Sequence, residues 1–367
     1  MIYKELFYFT GQCLSLDEHP DFRETILKRI QVQDINWEDF VQLCSDHLVI
    51  PSIYLKFKAH DILNIIPQEL TQELTRIYEL NRERNAKILL QIEHITAVLH
   101  PENIYPVFLK GTANLLDGLY SDLGERMIQD IDFLVEEEDY FRTAAIMEGD
   151  GYSHDKSRYL DYSTLKHYPG ICKIGEPAVV EIHRIPVPIE YADQFSTKMI
   201  FRDKKAVARK PGLYVPSDAH MLLHTFIHSQ LAHLGHAYKQ SSFRGFNDLF
   251  LLSKRIQVFP LPCHTKYTKK AISWLVFGQR VFGLPGLFCP FETREAKWFC
   301  MKYDLALRFI KFYNAYTFIK KLINVLFVRY AGTLLKAIFL ERQRMYVYRR
   351  LKDPKWYGAH LMSFKDF

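Results

Sequence analysis

Asp130 and Asp132, separated by one isoleucine, are the residues of this 367-residue chain best suited to chemistry. Residues 127–135 read as a β-strand. A period of two puts both carboxylates on one face, and Ile131, Phe133 and Val135 on the other. Two carboxylates at alternate positions of an otherwise apolar strand repel each other and resist burial. A divalent cation between them relieves both costs, which reads the pair as a Mg²⁺ site. A second alternating stretch, Val179-Val180-Glu181-Ile182-His183, offers a third carboxylate, with Glu181 and His183 on one face and Val180 and Ile182 on the other.

The elements that must position these groups begin upstream. Val107-Phe108-Leu109 reads as a short buried strand, Lys110-Gly111-Thr112 as a turn, and residues 113–119 as a compact helix. Gly111 lets backbone N–H groups approach a ligand closely, and Thr112 adds a hydroxyl at a helix start, where anions are favoured. A phosphate cradle beside a metal-binding Asp-x-Asp can hold a metal–nucleoside triphosphate.

Lys110-Gly111-Thr112, then Arg126 shortly before Asp130-Ile131-Asp132-Phe133-Leu134-Val135, then Glu181-Ile182-His183, resembles the minimal nucleotidyltransferases of the DNA-polymerase-β superfamily. Within that superfamily it is most similar to a bacterial family known only as uncharacterised nucleotidyltransferases. The resemblance covers residues 105–252 and includes Gly149-Asp150-Gly151-Tyr152. It implies Asp130, Asp132 and Glu181 as metal carboxylates, with Gly111 and Thr112 on the triphosphate. The chain departs from the commonest pattern in having Gly-Thr for Gly-Ser, a longer interval from Gly111 to Asp130, and Glu as the third acid. Lys110 or Arg126 is expected to neutralise charge on the leaving group. Alternatively, Lys110 ends a strand in solvent and Arg126 pairs with Glu125 or Asp122.

Hydrophobic content of 48% with 14% aromatics argues for a folded globule. The N-terminus lacks the pattern of a signal peptide, and no uncharged apolar run is long enough to span a bilayer, so a cytoplasmic protein is expected. The six cysteines, Cys13, Cys44, Cys172, Cys263, Cys289 and Cys300, show no metal-binding spacing and read as reduced thiols. The net charge of +6 is unevenly spread. Residues 254–367 hold 22 Lys/Arg against 6 Asp/Glu, which leaves 26 against 36 in the remainder. A basic C-terminal third suggests a polyanionic partner or the phosphates of an acceptor.

Residues 1–98 read as helical. In the run 67–100 an apolar stripe is interrupted at Asn81 and Asn85, so two shorter helices are an option. Glu136-Glu137-Glu138-Asp139 reads as a helix start. The pairs Lys204-Lys205 and Arg209-Lys210 form a basic patch, solvated or in contact with phosphate. After a Ser217-Asp218 cap, His220, His224 and His228 share one helical face, followed by His233 and His236. Those histidines are hydrogen-bonded structure, substrate contacts (His224 and His228 above all) or a metal site. The resemblance places Asp248 near the active site, and an Arg244–Asp248 helix pair is the structural alternative. Basic and aromatic residues then alternate from Tyr303 to Arg350. Helices of this kind dock on nucleic acid, lie on an anionic membrane or pack into a core with solvated faces.

The expected architecture is α+β: a polymerase-β-like core of mixed sheet and helices over 101–212, flanked by a helical segment (1–100) and a basic helical domain (213–367). The expected activity is transfer of a nucleoside monophosphate from an NTP to an acceptor hydroxyl or phosphate, with release of pyrophosphate. It would use two Mg²⁺, or Mn²⁺, and Lys110, Gly111, Thr112, Arg126, His183, His224, His228 and Asp248 would line the nucleotide site. The acceptor is open among a small molecule, a peptide or protein, and RNA. An RNA-modifying toxin-type enzyme and a nucleotide binder without turnover are the rival readings.

Overall fold

A computed structural model of the chain describes residues 1–154, 166–208, 210–256, 267–324, 327 and 331–352. Arg209, Cys263, Arg329 and Tyr330 lie outside the described residues, as do the side chains of Arg342, Tyr346, Arg349 and Arg350. The chain divides into two compact units, Met1–Tyr303 and Asp304–Phe367. It is mixed α+β. Helices α1 (Tyr3–Leu14), α2 (Pro20–Gln31), α3 (Trp37–Asp46), α4 (Ile50–Ala59) and α5 (Gln68–Leu99) precede a mixed five-stranded sheet.

The strands are β1 (Val107–Phe108), β2 (Asp130–Leu134), β3 (Val179–His183), β4 (Lys205–Ala206) and β5 (Tyr214–Val215), in the order β3-β2-β1-β5-β4. β2 runs parallel to β3 and antiparallel to β1. Side chains of one face, including Phe108, Ile131, Phe133, Val180 and Ile182, are fully buried, as the alternating pattern requires. Helix α6 (Lys110–Leu116) follows β1, and α7 (Tyr140–Gly149) follows β2. α6 begins three residues earlier than the sequence suggests, so Lys110-Gly111-Thr112 is its first turn rather than a separate loop. β2 is shorter than expected because the carbonyls of 127–129 leave the ladder. Guanidinium groups of Arg84, Arg126 and Arg244 take them instead.

α5 is one helix of 32 residues, not two. The asparagines that look like a break lie on the buried stripe and have partners there. Asn81 Nδ2 donates to the Gly124 carbonyl (2.7 Å), and Asn85 Nδ2 to those of Leu123 (2.7 Å) and Arg126 (2.8 Å). Farther along, the Gln91 amide exchanges two hydrogen bonds with the backbone of Ala178 just before β3. α5 thus holds the approaches to both carboxylate-bearing strands.

Beyond the sheet come α8 (Thr197–Arg202), α9 (Asp218–Phe226), a π-helical segment (Ile227–Ala232), α10 (Gly235–Tyr238), α11 (Phe243–Ser253), α12 (Thr268–Val281) and α13 (Arg294–Arg308). Phe7 of α1 meets Phe243 of α11, with ring centroids 4.4 Å apart. Gly11 packs so closely on α12 that a Cβ would lie 2.1 Å from the Val281 carbonyl oxygen. The first and last helical parts of Met1–Tyr303 are therefore joined. Helices α14 (Ile310–Asn324), α15 (Gly332–Phe339) and α16 (Glu341–Leu351) belong to the second unit. Among the described residues no helix is long and apolar enough to cross a membrane. The described cysteines are all free thiols, four of them buried.

Candidate active site

The register of β2 and β3 brings Asp132 directly opposite Glu181. His183 follows Glu181 on the same face and reaches back diagonally. Its Nε2 donates to Asp132 Oδ1 at 2.8 Å and lies 3.4 Å from Glu181 Oε2. Asp132, Glu181 and His183 offer ligand atoms within 4.8 Å of one another, the group among the described residues that could hold a metal ion. Asp130 stands beside this triplet rather than within it. It sits one pleat repeat farther along β2, a step of about 6.6 Å, with Val179 as its cross-strand partner. Burial and repulsion from Asp132 and Glu181 raise its pKa above the usual aspartate value.

Lys110 supplies the local counter-charge. Its Nζ donates to Asp132 Oδ1 (2.6 Å) and lies 3.8 Å from Glu181 Oε2. Burial disfavours the ammonium, but these carboxylates outweigh it and raise the pKa. Burial likewise opposes the Asp132 anion, yet His183 and Lys110 overcome it and hold the group well below the ordinary range. The positive φ of the α6 start is at Lys110 (52°), not Gly111, so a residue with a Cβ occupies the left-handed region here. Such strain is characteristic of sites where a side chain is held for a purpose.

Thr112 is fully buried. Its hydroxyl donates to the Asp130 carbonyl (3.2 Å) and accepts from the Asp132 N–H (3.4 Å), which pins α6 to the strand between the two carboxylates. Gly111 packs on Arg126, where a Cβ would be 3.5 Å from the guanidinium, an ordinary contact. Arg126 itself is committed elsewhere. Its Nε and Nη2 each lie 2.7 Å from an Asp248 oxygen, and Tyr120 adds a hydrogen bond of 2.6 Å to the same carboxylate. The partner of Arg126 is neither Glu125 nor Asp122, and that of Asp248 comes from far along the chain.

The histidine run divides. His220 leans on Phe195 and approaches Asp203, and His236 stacks on Phe299. His224 and His228 lie within electrostatic reach of Lys110. Burial, then Lys110 and His183, push His224 down to about 3, so it is neutral at physiological pH, and its buried Nε2 has no hydrogen-bond partner. His228 is depressed further by burial and the same lysine. The π-helical segment brings His233, five residues on, to within 4.3 Å of the His228 ring centroid.

Two groups at the site carry no motif in the sequence. Lys166 has its pKa lowered by burial and then by Lys110, and it feels Glu181, Asp132 and Asp130. The His167 ring lies 5.0 Å from that of His183, and its Nε2 is 3.8 Å from Glu181. Antiparallel bridges to β3 place both, and no periodicity in the sequence announces them. Of the basic patch, Lys205 pairs with Asp117 and Asp218, and Lys210 with Glu93.

The family described as uncharacterised nucleotidyltransferase matches residues 33–259. The chain belongs to that family. Its match spans α3 to α11 and so contains every residue of the site just described, including the α5 side chains that hold the approaches to β2 and β3. No curated protein matches the chain. Membership in a nucleotidyltransferase family makes the chain a transferase, with a nucleoside triphosphate as the implied substrate.

Proposed function

We propose that this protein moves a nucleoside monophosphate from a triphosphate to an acceptor hydroxyl or phosphate, on a polymerase-β-like core, with Mg²⁺ or Mn²⁺. One observation carries the reading. Asp132 and Glu181 face each other in register on paired parallel strands, with Asp130 on the same face and the start of α6 beside them. The donor set suits a hard divalent cation, because carboxylates outnumber the cations among them and Asp130 is held against its preferred charge state. Asp130, Asp132, Glu181 and His183 would hold that ion, or two of them. When bound it would neutralise charge on the triphosphate and on the attacking oxygen.

The chain's own groups account for the rest. The first N–H groups of α6 have no intrahelical partner, so those of Lys110 and Gly111 can bind the terminal phosphates. The Lys110 ammonium then shares its charge between Asp132 and the departing pyrophosphate. The acceptor oxygen bonds to the α-phosphorus, the bond to the bridging oxygen breaks, and the acceptor proton passes to Glu181. His224 Nε2, neutral and without a partner, would take a hydrogen bond from the nucleotide or acceptor, and His228 lines the same wall. Arg126 and Asp248 act one layer back, as the packing surface under Gly111.

The test is incubation with each α-labelled triphosphate, Mg²⁺ and total cell extract, followed by locating the label. Label should reach one class of acceptor with wild type and none with Asp132→Ala. Transfer that survives Asp132→Ala, or that proceeds in excess chelator, refutes the proposal.

A further inference from the structure

The unit Asp304–Phe367 carries 13 Lys/Arg against 4 Asp/Glu, together with large apolar side chains in solvent. On α14, Phe312, Tyr316, Ile319 and Ile323 are all at least half exposed, and Phe312 reaches 79%. Their spacing of four, three and four puts them on one helical face. Thr317, the buried residue of this helix, lies roughly 130° away around the axis, so the apolar stripe is not the side on which α14 packs. Lys311 and Lys320 are exposed and flank the stripe, each roughly 90° from its centre. α15 repeats the theme: Leu334, Leu335, Ile338 and Phe339 are exposed beside exposed Lys336.

Single exposed apolar residues are ordinary, but two helices presenting them together mark a contact site. We infer that α14 and α15 lie on an anionic lipid surface, with the apolar stripes at the acyl boundary and the flanking lysines on the headgroup phosphates. Charge complementarity selects this occupant. Lysines on both flanks of an apolar stripe can extend their amines outward to an anionic interface while their stems cover apolar area. RNA would make use of cations and aromatic rings but gain nothing from exposed leucine and isoleucine. With no described helix long enough to span, the segment would lie in the plane of the interface.

The experiment is co-sedimentation of the full chain with phosphatidylcholine vesicles, with and without phosphatidylglycerol, at low and high salt. Binding should require phosphatidylglycerol and weaken with salt. Lys311→Glu with Lys320→Glu should reduce it about tenfold or more, and Ile319→Ser with Ile323→Ser should reduce it comparably at unchanged charge. The changes are on exposed positions, so circular dichroism should stay the same. Equal binding to both vesicle types, or none, overturns the inference. So does a dimer in light scattering that Phe312→Ser dissolves, or binding to single-stranded RNA that the lysine changes weaken and the isoleucine changes leave alone.

Discussion

Two buried clusters of opposite charge lie side by side under α6, and they are built on different terms. In the Arg126–Asp248–Tyr120 cluster one guanidinium meets one carboxylate at two points, and a phenol completes the shell. Charge and hydrogen bonds close on themselves. In the Lys110–Asp132–Glu181–His183 cluster one ammonium faces two carboxylates, with Asp130 adding a third negative group nearby. Its pKa values are pulled apart, Asp132 down and Asp130 up. A closed cluster serves architecture, whereas an unbalanced one is poised for something that the chain alone does not supply.

The difference is sharpest under Asp130→Asn. Removing a carboxylate from the open cluster should lower transfer by roughly 10³-fold, the scale expected for loss of several kcal/mol of charge stabilisation. Stability should hold or rise, because the change removes a repelled charge. A mutant that melts well below wild type would show that Asp130 is structural. Arg126→Ala should behave in the opposite sense. Leaving Asp248 buried and unpaired is expected to cost about 3–5 kcal/mol in denaturant unfolding. Little change in the midpoint would mean that the closed cluster is not holding the fold.

A smaller effect is expected from pH. His224 titrates near 3 in the folded chain and near 6.5 when unfolded, so between those values the unfolded state binds the extra proton. Stability should therefore rise with pH across that window, by up to about 1.4 kcal/mol per pH unit from this group. His224→Phe should flatten that slope in urea titrations at several pH values. An unchanged slope would place the proton uptake elsewhere. Smallest of all should be the stability effect of Gly111→Ala, within about 0.5 kcal/mol, since its Cβ has room. If the α6 start binds phosphates, the same change should raise the KM for triphosphate, because the added methyl intrudes on the backbone approach.

Much of the open cluster was legible in the sequence. Alternation in a strand fixes which residues share a face, so Asp130 with Asp132, and Glu181 with His183, could be grouped without a structure. What alternation cannot give is register, and register decides that Glu181 lies opposite Asp132 and leaves Asp130 outside the tightest triplet. The closed cluster was hidden by distance along the chain, since 122 residues separate Arg126 from Asp248. Lys166 and His167 were hidden because bridges to β3, not a local pattern, position them. Asn81 and Asn85 misled in the opposite direction. A polar residue in an apolar stripe looks like a helix end, unless a distant loop brings carbonyls to meet it.

The segment Ile227–Ala232 winds by a wider turn than its neighbours, closed by the His233 N–H on the His228 carbonyl. Such a turn is in effect an ordinary helix with one surplus residue. Deleting a single residue there should restore the tighter winding and swing everything downstream by about 100°. His233 would then lose its neighbour while the helix itself survives, so the length of this stretch sets which imidazoles share a wall.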